Sequence, residues 1–124
     1  MSIDFSKLPS PCYLCEESLL ENNLKVLDRV QKESGAKIIL ALKGFAMHAT
    51  FPLVGKYLQG CTASGLHEAK LTREEMNKEV HTYSPAFKED EIDEIDSISD
   101  HIVFTSPAQL FRFQKRVKEV NPNI

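Results

Sequence analysis

Lys37-Ile38-Ile39-Leu40-Ala41-Leu42-Lys43-Gly44 decides the fold. Its centre, Ile38 to Leu42, is an unbroken apolar run rich in branched residues, with none of the polar alternation of a strand that keeps one face in water. The stretch reads as a strand over 37–43, buried on both faces of a parallel sheet. It is also the longest apolar run of the chain, far below the roughly 20 residues that a membrane-spanning helix needs.

Downstream of it one unit recurs: a β-rich run, a polar or small-residue turn, then an amphipathic helix. Thr50 as N-cap and Pro52 in the first turn predict a helix to Leu58. Further strands are expected over 60–64, 79–84 and 101–105, with helices over 66–76 and 88–98. The last helix should open on Ser106 as N-cap and Pro107 at its first position, with Leu110, Gln114, Val117 and Val120 along one line. Upstream, Leu8-Pro9-Ser10-Pro11 is held extended by its prolines, and residues 12–15 continue it as a short strand. Ser18 and Glu21 have capping-box spacing, which predicts a helix start at Ser18. Its apolar line is Leu20, Leu24, Leu27 and Val30, and Ser34-Gly35 supplies the stop.

Strand starts at 37, 60, 79 and 101 give a regular strand–helix alternation, so the class is α/β with a parallel sheet and crossover helices. Four such units are half of an eight-stranded barrel, which usually takes about 250 residues. The 124 residues are therefore expected to form the N-terminal half of a (βα)8 barrel.

Composition narrows the function. With 42% hydrophobic and 27% charged residues the chain reads as one globular domain. A net charge of −3 without a basic patch interleaved with aromatics argues against nucleic acid and for a small or cationic ligand. The opening Met1-Ser2-Ile3-Asp4-Phe5 lacks a basic flank and apolar stretch, so a cytoplasmic protein without a secretory signal is expected. Three cysteines do not describe a disulfide framework.

Lys43 is the most informative position, because it stands at the carboxyl end of the apolar strand, where ligands and catalytic groups gather in parallel α/β folds. A lysine amine partly desolvated there suits Schiff-base chemistry. Position alone favours a lysine that merely ends a strand and carries its ammonium to water. Cys12-Tyr13-Leu14-Cys15 is a C-x-x-C, but on a strand an offset of three sends the two sulfurs to opposite faces. Cys61 and His67 add no metal-ligand spacing, and His48, His67, His81 and His101 are scattered, so no metal is expected. Glu89-Asp90-Glu91, Asp93 and Glu94 read as the solvated, acidic start of a helix. Gly55, Gly60 and Gly65 make no phosphate-binding loop.

The wider string resembles a known family. Ala41-Leu42-Lys43-Gly44-Phe45-Ala46, Cys61-Thr62-Ala63-Ser64-Gly65-Leu66-His67-Glu68-Ala69 and Tyr83-Ser84-Pro85-Ala86-Phe87 resemble the alanine-racemase-like, fold-type III decarboxylases that use pyridoxal 5'-phosphate. Pro11-Cys12-Tyr13-Leu14 and Leu20-Glu21-Asn22-Asn23 match that family's opening strand and first helix. Within it the resemblance is to the carboxynorspermidine (carboxyspermidine) decarboxylase branch. It implies that Lys43 holds the cofactor as an internal aldimine, that Ala41 approaches the ring, and that Ser64 and Glu68 stand near the active-site end of the second strand. It further implies a carboxylated polyamine substrate, a homodimer in the full-length form, and a C-terminal β-domain. The phosphate-binding glycines, the partner of the pyridine nitrogen and the substrate-binding carboxylates are then expected beyond Ile124, so residues 1–124 alone are expected to be inactive. Gly44-Phe45 after the lysine, and Cys61-Thr62 where the ornithine-decarboxylase branch has an acidic residue before its Ala-Ser pair, separate this chain from that branch. A non-catalytic pyridoxal-phosphate-binding barrel and an inactive truncated module are the alternative readings.

Overall fold

A computed structural model describes residues 4–124; the signal-sequence reading of Met1, Ser2 and Ile3 lies outside them. The regular elements are α1 (Glu17–Ser34), β1 (Leu40–Ala41), α2 (Phe51–Val54), β2 (Gly60–Ala63), α3 (Leu66–Leu71), β3 (Glu79–Tyr83), α4 (Ile92–Ile98), β4 (His101–Val103) and α5 (Pro107–Val120). All strand pairs are parallel and the sheet order is β1-β2-β3-β4. Sequential order without a reversal is how a barrel winds, whereas a doubly wound sheet turns back on itself at a switch point.

The register sorts the strand residues into two faces. Leu40 pairs with Cys61, Cys61 with Val80, and Ala63 with Thr82. Cys61, Ala63, Val80 and Thr82 are buried, because this face is covered by helices. Leu24 of α1, Phe51 and Val54 of α2 and Met76 close over Leu42 and Cys61 at one end of the sheet. Ile92 and Ile95 of α4 and Phe113 and Val117 of α5 form a second cluster with Leu66 and Phe87. Ala69 fits between Ala63 and Val80. The opposite face carries Ala41, Thr62, His81 and His101 in one row across the sheet, and Tyr83 and Val103 in the next. None of these is buried, and Val103 is 49% exposed. The strand expected to be buried on both faces is thus covered on one.

Several expectations change at the level of the element. The predicted strand over 37–43 is reduced to Leu40–Ala41. Its N-terminal flank is held instead by Gln31, whose Oε1 accepts from the Ile38 N–H at 2.8 Å while its Nε2 donates to the Tyr57 carbonyl at 2.8 Å. Residues 12–15 form no strand, since no neighbouring strand lies beside them, and Tyr13 is 97% exposed. The capping box is not made: α1 starts one residue earlier, the Ser18 hydroxyl donates to Glu16, and Glu21 accepts from the Tyr57 hydroxyl at 2.7 Å. Gly35 ends α1 in the left-handed conformation, φ 73°, as the Ser34-Gly35 stop predicts. Thr50 does not cap; its hydroxyl donates back to the Met47 carbonyl, and the helix shrinks to Phe51–Val54 behind a 3-10 turn. The helix expected over 66–76 is α3 followed by a π-helical turn, Thr72–Met76, and the one expected over 88–98 begins at Ile92. Ser106 caps α5 as read, its hydroxyl accepting from the Gln109 N–H at 3.2 Å.

Candidate active site

The carboxyl ends of the strands meet on the uncovered face. After β1 the chain turns sharply, with the Gly44 and Phe45 N–H groups both donating to the Ala41 carbonyl. Leu42 goes into the core and Lys43, one residue on, is exposed. Lys43 stands in that turn, and its approach to Tyr83 puts its amine on the open side of the sheet. Its ammonium lies 5.8 Å from the centre of the Tyr83 ring, two strands away. These residues do not supply the desolvation that the strand-end position of Lys43 suggested.

Ser64 follows directly on β2, and its backbone N–H donates to Glu68 Oε2 at 2.6 Å. Glu68 thereby closes the turn from β2 into α3 and fixes where the Ser64 hydroxyl sits. A cleft beside it is lined by Ser64, His67, Glu68, Ser84, Phe87 and Glu91. A second, more apolar groove runs from Tyr13 and Leu14 along Gly44, Phe45 and Met47. Lys43, Ala41, Tyr83, Ser64 and Glu68 therefore share one end of the sheet. An amine on an open strand end, next to an aromatic face and a small residue, fits a carbonyl-bearing planar cofactor; the described residues include no phosphate-binding loop.

The cysteines stay outside this group. Cys12 is exposed, Cys15 half-buried, and Cys61 lies in the core with its Sγ 3.5 Å from the Met76 sulfur. Burial pushes the Cys61 thiol up from its ordinary range, with the Thr72 hydroxyl opposing. The acidic segment is partly tied down: Glu89 and Asp93 pair with Arg112 and Arg116 of α5. Arg116 holds the Asp93 carboxyl below the usual range.

Two features escape any sequence spacing. Parallel register sets His81 opposite His101, and Glu79 joins them on the same face. The Glu79 carboxyl is held below its ordinary range by hydrogen bonds from Lys37 first and His81 second. Tyr83 reaches Lys43 only because β1, β2 and β3 lie side by side, which a linear reading does not reveal.

No protein-family model matches the chain. It is 54% identical over 115 residues to a carboxynorspermidine/carboxyspermidine decarboxylase of Campylobacter jejuni, a match that covers 93% of this chain and 30% of that protein. It is 42% identical over 113 residues to a carboxyaminopropylagmatine decarboxylase of Synechocystis, covering 91% and 29%. A crystal structure of the Campylobacter jejuni carboxynorspermidine decarboxylase complexed with norspermidine superposes with a TM-score of 0.88 at 54% identity, over 90% of this chain and 30% of that one. The chain spans about 30% of the length of the curated relatives it matches. Across some nine-tenths of its residues, this chain is similar to the N-terminal part of carboxynorspermidine/carboxyspermidine decarboxylases.

Proposed function

We propose that this chain contributes the lysine-bearing strand ends of a pyridoxal-phosphate-dependent decarboxylase whose substrate is a carboxylated polyamine. The observation that carries the reading is Lys43 on the sheet face that the helices leave open, just after the carboxyl end of β1, within reach of Tyr83 and in a chain 54% identical to a protein named a carboxynorspermidine/carboxyspermidine decarboxylase. Lys43 Nζ is the nucleophile that holds the cofactor covalently, which requires it to give up a proton. Ala41, with only a methyl group on the same face, leaves room for a ring. The Ser64 hydroxyl and N–H border the same space, and Glu68 keeps that turn in place. When bound, the cofactor supplies the electron sink for the pair released as a carboxylate leaves.

Substrate class follows from what these strand ends lack. Gly44, Phe45 and Thr62 bring no charge to the open face and Cys61 lies in the core, so none of these four positions meets a distal cation of the substrate. The Synechocystis relative is named for a carboxyaminopropylagmatine substrate.

Borohydride reduction of the intact protein with pyridoxal phosphate, followed by peptide mass mapping, should place the label on the peptide holding Ala41 to Phe45. Label on Lys37 or Lys56 alone would end the assignment. Lys43→Ala should abolish CO₂ release, and Lys43→Arg should abolish it too, because a guanidinium that stays protonated is no nucleophile. In the same assay carboxynorspermidine or carboxyspermidine should exceed ornithine by at least tenfold in kcat/KM, since one lost charge-assisted hydrogen bond costs about 1.5 to 3 kcal/mol. Equal turnover of ornithine would sink the substrate class and leave the role of Lys43 standing.

A further inference from the structure

The pairing of β3 with β4 creates a second cluster, distinct from the Lys43 end of the sheet. His81 and His101 are direct partners across the two strands, their ring centroids 4.3 Å apart and their planes at 34°. Glu79, two residues back on β3, lies on the same face, with its Oε2 3.2 Å from His81 Nε2. Its other oxygen, Oε1, is taken by the Lys37 ammonium. One ligand atom from each of Glu79, His81 and His101 can be chosen so that all three lie within 4.8 Å of one another.

We propose that Glu79, His81 and His101 bind a divalent transition-metal ion, Zn²⁺ above all, which clips β4 to β3. Two imidazoles and one carboxylate are a donor set that Zn²⁺ uses, leaving a fourth position for water or another group. Imidazole nitrogen also selects against Mg²⁺ and Ca²⁺, which favour all-oxygen sites. Bonds of roughly 2.0–2.2 Å require the three donors to draw somewhat closer than they now stand. Side-chain rotation can supply this, because His101 is exposed and Glu79 and His81 are only half-buried. The ion would take Oε2 of Glu79, the oxygen now facing His81, and the Lys37 ion pair on Oε1 need not break. The ion would tie β4, three residues long, to β3 across their shared register.

Nothing in this inference depends on Lys43, so either proposal can fail while the other stands. The test is equilibrium dialysis of the chelator-stripped intact protein against ZnCl₂, with bound zinc counted by elemental analysis. The wild-type protein should hold one equivalent more than the His81→Ala/His101→Ala double variant, and Glu79→Gln should weaken that equivalent at least tenfold. His101→Gln, a substitution of similar size, should also lose it while keeping the metal-free circular-dichroism spectrum, which separates lost ligation from lost folding. Cys12→Ser/Cys15→Ser should retain it, which excludes the C-x-x-C thiol pair as the ligand. Equal zinc in wild type and His101→Gln, or loss of the equivalent in the cysteine variant, would overturn the site.

Discussion

Asp96 is the residue whose position costs the fold most plainly. It is completely buried on α4, and neither carboxylate oxygen has a hydrogen-bond partner among the described residues. The nearby Asn121 N–H, which draws the pKa down slightly, is already donated to the Val117 carbonyl. Burial dominates and pushes the carboxyl up to about 6, with the Asp93 charge adding to the rise. The sign follows from linkage. Below the unfolded value of 3.8 the group is protonated in both states and carries no penalty. As the pH rises from 3.8 to about 6 the unfolded chain gives up this proton while the folded chain keeps it, and stability falls by at most about 3 kcal/mol, a loss complete once the buried acid ionises. Asp96→Asn should therefore raise the melting temperature at pH 7.5, with an advantage that shrinks toward pH 4; a difference constant across that range would show that ionised Asp96 escapes to solvent. At this scale the sequence was unevenly legible. Lys43 and Ser64 could be placed because a strand end is a linear feature, whereas the His81–His101 pair and the burial of Asp96 arise from register and helix packing that no spacing encodes. Glu21 shows the same limit: its spacing to Ser18 suits a cap, yet the Tyr57 hydroxyl, 36 residues away, claims it.

Among the elements, those with strong local signals appear where they were expected, and those that rely on neighbours are cut short. α5 has a serine cap, a proline at its first position and a continuous helical pattern, and it runs 14 residues. β1 has the most apolar sequence of the strands but hydrogen-bonds to β2 alone, so its regular part is two residues long. β2 and β3, flanked on both sides, keep four and five residues. Close contact between them depends on Gly60, where an added Cβ would sit 2.0 Å from the Glu79 carbonyl oxygen. Gly60→Ala should accordingly push β3 away from β2 and destabilise the protein by about 1–3 kcal/mol, as overpacking does. Urea unfolding measures this, and an unchanged midpoint would mean that the pairing tolerates the shift. The π-helical turn after α3 has an equally local role. It presents Arg73, which donates to the Ile98 carbonyl at 2.7 and 3.1 Å and to Asp100 at 2.8 Å, while Asp100 accepts from the Val80 N–H. That chain of contacts fixes the start of β4 beside β3.

For the molecule as a whole, the decisive fact is that helices cover one face of the sheet. Period-two alternation makes Cys61, Ala63, Val80 and Thr82 a buried layer and leaves Ala41, Thr62, Tyr83 and Val103 uncovered. Two strand edges are open as well, one on β1 and one on β4, each presenting backbone groups able to pair with another chain. Parallel sheets are stable when both faces are covered or when the sheet closes into a barrel, and these 124 residues supply neither. The exposed side chains of α1 and α5, Leu19, Val26, Val30 and Phe111 among them, add apolar surface to the same problem. Produced on its own, the 124-residue chain should therefore self-associate and release no CO₂ from carboxynorspermidine in the presence of pyridoxal phosphate. Sedimentation velocity checks the first part and a coupled carbonate assay the second. Charge on the edge should matter: Val103→Lys, which places an ammonium on the open face of β4, should shift the distribution toward smaller species without restoring activity. A monodisperse monomer that melts in one sharp transition and decarboxylates the triamine would show that the open face needs no cover.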